Sequence, residues 1–214
     1  YAAYKQNNGM FQRCFVLPGD HLSNYSRTES LGAVALYKDV PTRITLQAAD
    51  AAGNVSTVNF WVLRGEPEPQ PSFPDLLEMP FDVENRVDMK DFSMTLPKGA
   101  LYETLHFEYG RSNPLPGMYS GVHRVHNKFT PLQSYCTLSI RPEQLPEALR
   151  AKAVIARPRQ GSRPVNCGGS WENDYLVTRV RDFDEYCVMV DTTAPTLKPV
   201  VFSVDMRRKK TMAF

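Results

Sequence analysis

Apolar and polar residues alternate with a period of two along much of this chain. The clearest case is residues 43–63, where two alternating runs flank the sequence DAAGN at residues 50–54. Gly and Asn tolerate a positive φ, and Asp can accept hydrogen bonds from the backbone of its own turn. This segment therefore predicts a β-hairpin.

Shorter runs of the same kind predict further strands on both sides of the hairpin. Residues 10–17 and 32–37 are candidate strands before it. Six candidates follow it, at residues 92–96, 104–109, 135–140, 152–157, 175–181 and 185–190. The sequence has no long amphipathic helical segment between them, and residues 142–151 predict only a helical turn that begins near Pro146. The pattern predicts an all-β fold of tandem, antiparallel, immunoglobulin-like β-sandwich modules.

Proline-rich sequence predicts where these modules are divided. Alternating Pro residues at positions 65–74 favour an extended, stiff conformation and exclude a helix. Few strands precede them, and a few strands cannot cover both faces of a core, so we expect the modules at both ends to be truncated. The predicted units are the C-terminal part of an immunoglobulin-like sandwich (1–65), a Pro-rich linker (66–80), a second β-sandwich domain (81–191) and the start of a third β module (192–214).

Composition and charge exclude some classes of function. The formal net charge is +2, and the one dense basic run lies at residues 207–210, where it is typical of a solvated tail. Nucleic-acid binding is therefore not expected. The sequence also has no apolar stretch long enough to span a bilayer and no signal peptide at its start.

The four cysteines are widely separated and form no C-x-x-C pair, which disfavours a zinc ribbon or a redox motif. Cys136 has the same strand parity as Leu138 and Ile140, so we predict that it is a buried free thiol. A disulfide among Cys136, Cys167 and Cys187 stays open at this point.

No motif in the chain predicts catalysis or metal binding. His123 and His126 form the one metal-like pair, but positions i and i+3 of a strand point to opposite faces. The carboxylates at residues 82–91 and 182–185 lack the spacing of a calcium loop and are typical of solvated charge. G-x-S-x-G, P-loop and dinucleotide-binding patterns do not occur either. We expect no catalytic and no metal-ligating residue in this chain.

Aromatic side chains are the candidate ligand-binding residues. Trp171 lies beside two glycines in a predicted loop, and Tyr175 and Tyr119 are further candidates. Such rings could stack on sugars or peptides, although most aromatic residues of a sandwich fill its core.

Several segments together carry a resemblance to a known family. They are FQRCF and LPGD in residues 11–20, ITLQAADAAGN (44–54), LPKGALY (96–102), TPL (130–132) and YCVMVDTTAP (186–195). In this order they resemble the region C-terminal to the catalytic domain in lysostaphin-type zinc metallopeptidases of Bacteroidota. That family holds zinc with H-x-x-x-D and H-x-H segments, and neither pattern occurs here. No catalytic or metal residue is therefore carried over.

The resemblance implies a non-catalytic accessory region that positions a cell-envelope peptidoglycan metalloendopeptidase. The implied partners are a neighbouring peptidase domain in the same chain and peptidoglycan, and zinc is expected only in that peptidase domain. The implied location is the periplasm, the cell envelope or the secreted fraction. Two alternatives stay open: an adhesin-like or carbohydrate-binding β-sandwich stalk, and an enzyme whose site has no recognisable motif.

Overall fold

Strands are the main secondary structure of this protein. The computed structural model describes residues 15–26, 28–66, 76–194 and 196. Within them the strands are β1 (Thr42–Ala49), β2 (Val55–Val62), β3 (Leu77–Met79), β4 (Asn85–Met89), β5 (Phe92–Leu96), β6 (Leu105–Phe107), β7 (Tyr109–Ser112), β8 (Val122–Val125), β9 (Pro131–Ile140), β10 (Ala153–Arg157), β11 (Val165–Asn166), β12 (Ser170–Glu172), β13 (Tyr175–Asp182) and β14 (Glu185–Val190). The prediction of an all-β fold is confirmed.

Two five-stranded antiparallel sheets form a sandwich-like arrangement around one core. Their strand orders are β11-β10-β14-β8-β7 and β12-β13-β9-β5-β4. Because side chains alternate across a strand, Phe92, Met94 and Leu96 of β5 are buried, whereas Ser93 and Thr95 are only half-buried. All six strands predicted after the hairpin occur in these sheets or in the short β3–β6 pair.

The predicted hairpin is confirmed as β1 and β2, which pair in antiparallel register over their full lengths. The Asp50 carboxylate accepts hydrogen bonds from the backbone N–H of Ala52 and of Asn54, each at 2.9 Å. The Asn54 side-chain amide donates to the other Asp50 oxygen at 2.7 Å, and this bond is the main reason why the pKa of Asp50 lies below its ordinary value. Gly53 has the positive φ that the turn requires.

One face of the hairpin is apolar and exposed. Directly paired residues lie on the same face, and the pairs Ile44–Phe60 and Leu46–Val58 therefore share one side. Leu46, Phe60 and Val58 are 44%, 40% and 60% exposed. Among the described residues, none buries this face of the hairpin.

Two of the predicted strands before the hairpin are wrong in the part that the structure describes. Residues 33–37 are irregular and follow a 3₁₀ turn at Ser30–Gly32, where Leu31 and Gly32 have positive φ. Val34 and Tyr37 are 55% and 66% exposed, so the apolar alternation there has no sheet to pack on. Residues 15–17 are also not strand, and the remainder of that predicted strand lies outside the described residues.

The predicted helical turn is confirmed, and the predicted linker and third module are described only in part. The predicted helical turn is a 3₁₀ turn at Glu147–Lys152 with Pro146 as its N-cap. β3 begins at Leu77, inside the predicted linker range, whereas residues 67–75 of that linker are outside the described part. The predicted third module also lies almost wholly outside it.

No helix in the described ranges is long and apolar enough to cross a membrane.

Cys136, Cys167 and Cys187 are free thiols. Cys167 and Cys187 lie on opposite sides of β10, where two strand spacings separate their Cα atoms by about 10 Å, beyond the reach of a disulfide. Cys136 is fully buried in the other sheet, and burial raises the pKa of its thiol to about 12. The prediction of a buried free thiol at Cys136 is confirmed.

Candidate functional site

Trp171 lies on strand β12 rather than in a loop. Its indole N–H and one face of its ring are both in contact with Arg150. The indole N–H donates a hydrogen bond of 3.0 Å to the Arg150 carbonyl oxygen. The Arg150 guanidinium carbon lies 4.1 Å from the centroid of the indole ring and covers one face of it. Trp171 thus packs at the margin of the core.

The structure does not bring Trp171, Tyr175 and Tyr119 together into one surface. Tyr175 begins β13 and donates a hydrogen bond of 3.3 Å to the Lys90 carbonyl oxygen. Tyr119 precedes β8 in the opposite sheet, and its backbone N–H donates to Val188 at 2.8 Å. It is half-buried against the core.

His123 is buried between the sheets. Its Nδ1 shares a hydrogen bond of 2.7 Å with the Tyr109 hydroxyl, and the Phe92 ring stacks on the imidazole with 5.1 Å between centroids. Its Nε2 is buried and has no hydrogen-bond partner among the described residues. Burial is the main reason why the pKa of His123 falls to about 4.

His126 follows β8 in a left-handed backbone conformation, with φ of +49°. Its Nδ1 accepts the backbone N–H of Glu108 at 3.3 Å, so its Nε2 carries the proton and donates to the Thr130 hydroxyl at 3.2 Å. The His126 backbone N–H donates to Glu108 in turn, at 2.9 Å. Burial also lowers the pKa of His126.

These two histidines do not form a metal site with each other. His123 is buried within the core, whereas His126 is half-buried at its margin, where its ring packs on Phe107 and Phe183. The two ring nitrogens of His126 are engaged by Glu108 and Thr130. Across the ranges that the structure describes, no group of three or more His, Cys, Asp or Glu side chains is placed to hold a metal ion.

A charged cleft of about 530 Å³ opens beside His126. Four separate segments of the chain form its walls, from the ends of β7, β8, β10 and β14. Its lining residues are Glu108, Arg124, His126, Asn127, Lys128, Phe129, Pro158, Arg159, Gln160, Asp184 and Glu185. We call this the charged cleft.

One wall of the charged cleft is fixed by ion pairs. The Arg159 guanidinium binds both oxygens of the Asp184 carboxylate, at 3.2 and 2.8 Å, and this bond raises the pKa of Arg159. The Arg157 guanidinium lies 3.6 Å from Asp184 and 3.1 Å from Asp182. Asp182 and Asp184, whose sequence pattern is typical of solvated charge, thus bind the end of β10 to the connection between β13 and β14.

A second feature joins the N-terminal segment to the sandwich. The Gln133 side-chain amide donates a hydrogen bond to the Gly19 carbonyl oxygen, and its carbonyl oxygen accepts the backbone N–H of His21 at 3.0 Å. The Gly19 N–H donates to the Tyr102 carbonyl oxygen at 2.8 Å. We call the contact of Gly19 and His21 with Gln133 the glycine latch.

Close packing explains why glycine stands at position 19. Gly19 is buried, and a Cβ atom there would lie 2.6 Å from the Leu101 carbonyl oxygen and 2.8 Å from the Phe81 ring. Neither the backbone nor the packed ring can move away at low cost. Only glycine therefore fits at this position.

Comparison with known proteins assigns the sandwich to a family. Residues 77–191, more than half of the chain, match the Zu5-like domain. The chain belongs to the Zu5-like domain family. No curated protein matches it. Both five-stranded sheets and the charged cleft lie inside the Zu5-like region, whereas Gly19 and His21 lie before it and bind to it.

The charged cleft of this Zu5-like domain is suited to binding by charge and hydrogen bonds. Its described lining has guanidinium, ammonium, carboxylate and amide groups but no hydroxyl or thiol side chain. Sequence reasoning missed both the cleft and the latch. The one local signal in the sequence is LPGD at residues 17–20, a turn-forming segment at the end of the predicted strand 10–17.

Proposed function

We propose that this chain is a non-catalytic positioning module, in which the Zu5-like sandwich holds the preceding part of the polypeptide in a defined place. The glycine latch is the observation that carries the proposal. It fixes a segment from outside the family match onto the surface of the domain through hydrogen bonds and close packing.

Gln133 is central because it uses both ends of its side-chain amide. Its nitrogen contacts the carbonyl oxygens of Gly19 and, at 3.1 Å, Leu101, while its oxygen accepts from His21. The Gln133 side chain thus links the backbone of Gly19 and His21 in the N-terminal segment to the backbone of Leu101 in the domain. A tethered neighbour held in this way has a much higher local concentration than a free one.

Replacing Gln133 with Ala is expected to open the latch without unfolding the sandwich. The amide hydrogen of His21 loses its acceptor, and its exchange with solvent should accelerate by about fivefold, because a hydrogen bond of this kind contributes about 1 kcal/mol. Hydrogen exchange followed by NMR measures this residue by residue. Gly19→Ala should produce the same acceleration through its steric clash.

Gln47→Ala is the matched control, since Gln47 is exposed on the hairpin and makes only a long hydrogen bond of 3.4 Å to Thr57. It should leave the latch amides unchanged. Unprotected amides at Gly19 and His21 in the wild-type protein would rule out the latch as a positioning device.

We further propose that the neighbour is a peptidoglycan metalloendopeptidase of the cell envelope. The support for it is the order of sequence motifs shared with the region that follows that enzyme's catalytic domain. The same resemblance implies that zinc is bound in the neighbour, because the H-x-x-x-D and H-x-H segments that hold it in that family do not occur in this chain.

The full-length protein is expected to release soluble fragments from purified peptidoglycan, in a reaction that a zinc chelator stops. Gln133→Ala should slow the release from intact peptidoglycan and leave the cleavage of a short soluble peptide unchanged, because only the large substrate depends on positioning. Gln47→Ala again serves as the control. Full-length protein without chelator-sensitive activity would contradict the peptidase assignment and leave the latch measurement unaffected.

A further inference from the structure

Strand β4 is an open edge of one five-stranded sheet. It ends the order β12-β13-β9-β5-β4 and pairs only with β5 among the described residues. Its five residues make it longer than β7, β11 and β12, the other end strands of the two sheets. Arg86 and Asp88 of β4 are exposed. An exposed strand edge is a template for pairing with another strand.

The turn between β4 and β5 determines which backbone groups of β4 face outward. The loop has two residues, so Met89 and Phe92 on either side of it form a hydrogen-bonded pair. Hydrogen-bonded and non-hydrogen-bonded pairs alternate along antiparallel strands. The backbone N–H and C=O groups of Val87 therefore bond to β5, whereas those of Arg86 and Asp88 point away from it. Among the described residues, these outward groups have no backbone partner.

The charges of β4 are antisymmetric about Val87. Arg86 precedes Val87 and Asp88 follows it, and an ion pair of 2.7 Å joins their side chains on one face of the strand. Glu84 and Lys90, three positions before and after Val87, have the opposite order of charge. This segment is therefore complementary to its own reversed copy, in which each cation lies opposite an anion.

We propose that β4 pairs in antiparallel register with β4 of a second copy of this chain, about a two-fold axis at Val87. Arg86 of each copy then lies opposite Asp88 of the other. Both residues have outward backbone groups, so each of these two pairs exchanges two backbone hydrogen bonds. Opposite charges directly across two strands stabilise the pairing further. The two five-stranded sheets join into one continuous sheet. This dimer goes beyond the positioning role and does not depend on it.

The charges of β4 select a second copy over an unrelated strand. Charged side chains on an edge strand ordinarily discourage pairing, because an arbitrary strand places apolar residues or like charges opposite them. The reversed copy of β4 meets both Arg86 and Asp88 with the opposite charge. Two strands of five residues form a small interface, so the dimer should be weak and should form at high protein concentration.

Sedimentation equilibrium of the full chain at several concentrations measures this dimer. The wild type should shift from the mass of one chain towards that of two as its concentration rises. Arg86→Asp should raise the Kd by about thirtyfold, since two attractive pairs become repulsive. Asp88→Arg should have the same effect. Lys128→Asp makes the same charge change as Arg86→Asp at an exposed residue outside β4, and this control should match the wild type.

A mixture of the two single variants separates pairing from folding. The Arg86→Asp chain has carboxylates at both positions, and the Asp88→Arg chain has guanidinium groups at both, so each is complementary to the other and not to itself. The equimolar mixture should therefore form a heterodimer with a Kd close to that of the wild type. Unfolded variants would not recover in this way.

Hydrogen exchange of the wild type tests the register. The amide hydrogens of Arg86 and Asp88 should exchange more slowly at high protein concentration, whereas the Val87 amide, which bonds to β5, should be protected at every concentration. Three results would overturn the proposal. They are a wild-type chain that stays monomeric at about 1 mM, a dimer whose Kd is unchanged in Arg86→Asp, and a mixture of the two variants that does not associate.

Discussion

Acidification from about pH 7 to about pH 4 should lower the free energy of unfolding by about 3 kcal/mol through His123 alone. The pKa of His123 is about 4 in the folded protein and 6.5 in the unfolded chain. Between these values the unfolded chain binds more protons, so stability falls as the pH falls. A difference of about 2.5 pK units corresponds to about 3 kcal/mol.

The cause lies in the surroundings of His123. Burial under Phe92 disfavours the charged imidazolium, the Arg111 guanidinium acts in the same direction, and the Asp91 carboxylate opposes both. Tyr109 offers only a neutral hydroxyl, and burial raises the pKa of that group. No charge close to His123 is therefore strong enough to offset its desolvation.

Urea unfolding at several pH values measures this effect, with His123→Gln as the test variant. Its stability should depend less on pH in the window from about 4 to 6.5, because its amide does not titrate. His126→Gln is the control and should keep most of the wild-type dependence. An NMR titration of the folded protein provides a second measurement, and a His123 imidazole that titrates near its ordinary pKa of 6.5 would disprove the prediction.

Phe92→Ala should destabilise the sandwich by about 3–5 kcal/mol, the usual cost of deleting a buried aromatic ring. Phe92 is fully buried on β5, where its ring lies 5.1 Å from both the His123 and the Tyr109 rings. Its removal leaves a cavity and also gives water access to His123. The pKa of His123 should therefore rise towards its ordinary value, and the acid sensitivity should weaken.

Chemical denaturation of Phe92→Ala, compared with Tyr135→Ala, checks this second effect. Tyr135 lies on β9 and is 52% exposed, with one contact from the Arg179 guanidinium to its ring. Its truncation should cost about 1 kcal/mol or less. Equal losses in the two variants would mean that the core does not depend on the Phe92 ring.

The parts of the fold that local chemistry determines were predictable. The hairpin followed from DAAGN, because the Asp50 and Asn54 side chains form the turn that their residue types favour. The sandwich strands followed from alternation, since one face of each packs on the core. β4 was missed because its sequence, NRVDM, looks like solvated charge although Asn85 and Val87 are buried.

The candidate sites could not be predicted in the same way. The charged cleft combines residues from four segments that the sheet order brings together, and no spacing along the chain records that order. Trp171 was selected because glycines precede it, but a strand and Arg150 decide its environment. Residues 33–37 have the alternating pattern of a strand but are irregular in the structure. A strand also needs a neighbouring strand to bond its backbone N–H and C=O groups, and the alternation of side chains does not reveal whether one is present.

The glycine latch has a consequence for the order of events during synthesis. His21 and Gln133 are 112 positions apart in the sequence. Because synthesis runs from the N-terminus, the segment that contains Gly19 and His21 leaves the ribosome before Gln133 does. That segment has no docking surface until β9 has emerged and paired with its neighbours. Contacts between such distant positions also form slowly, because a long loop must close. We therefore expect docking of the N-terminal segment to be the last step in the maturation of the nascent chain.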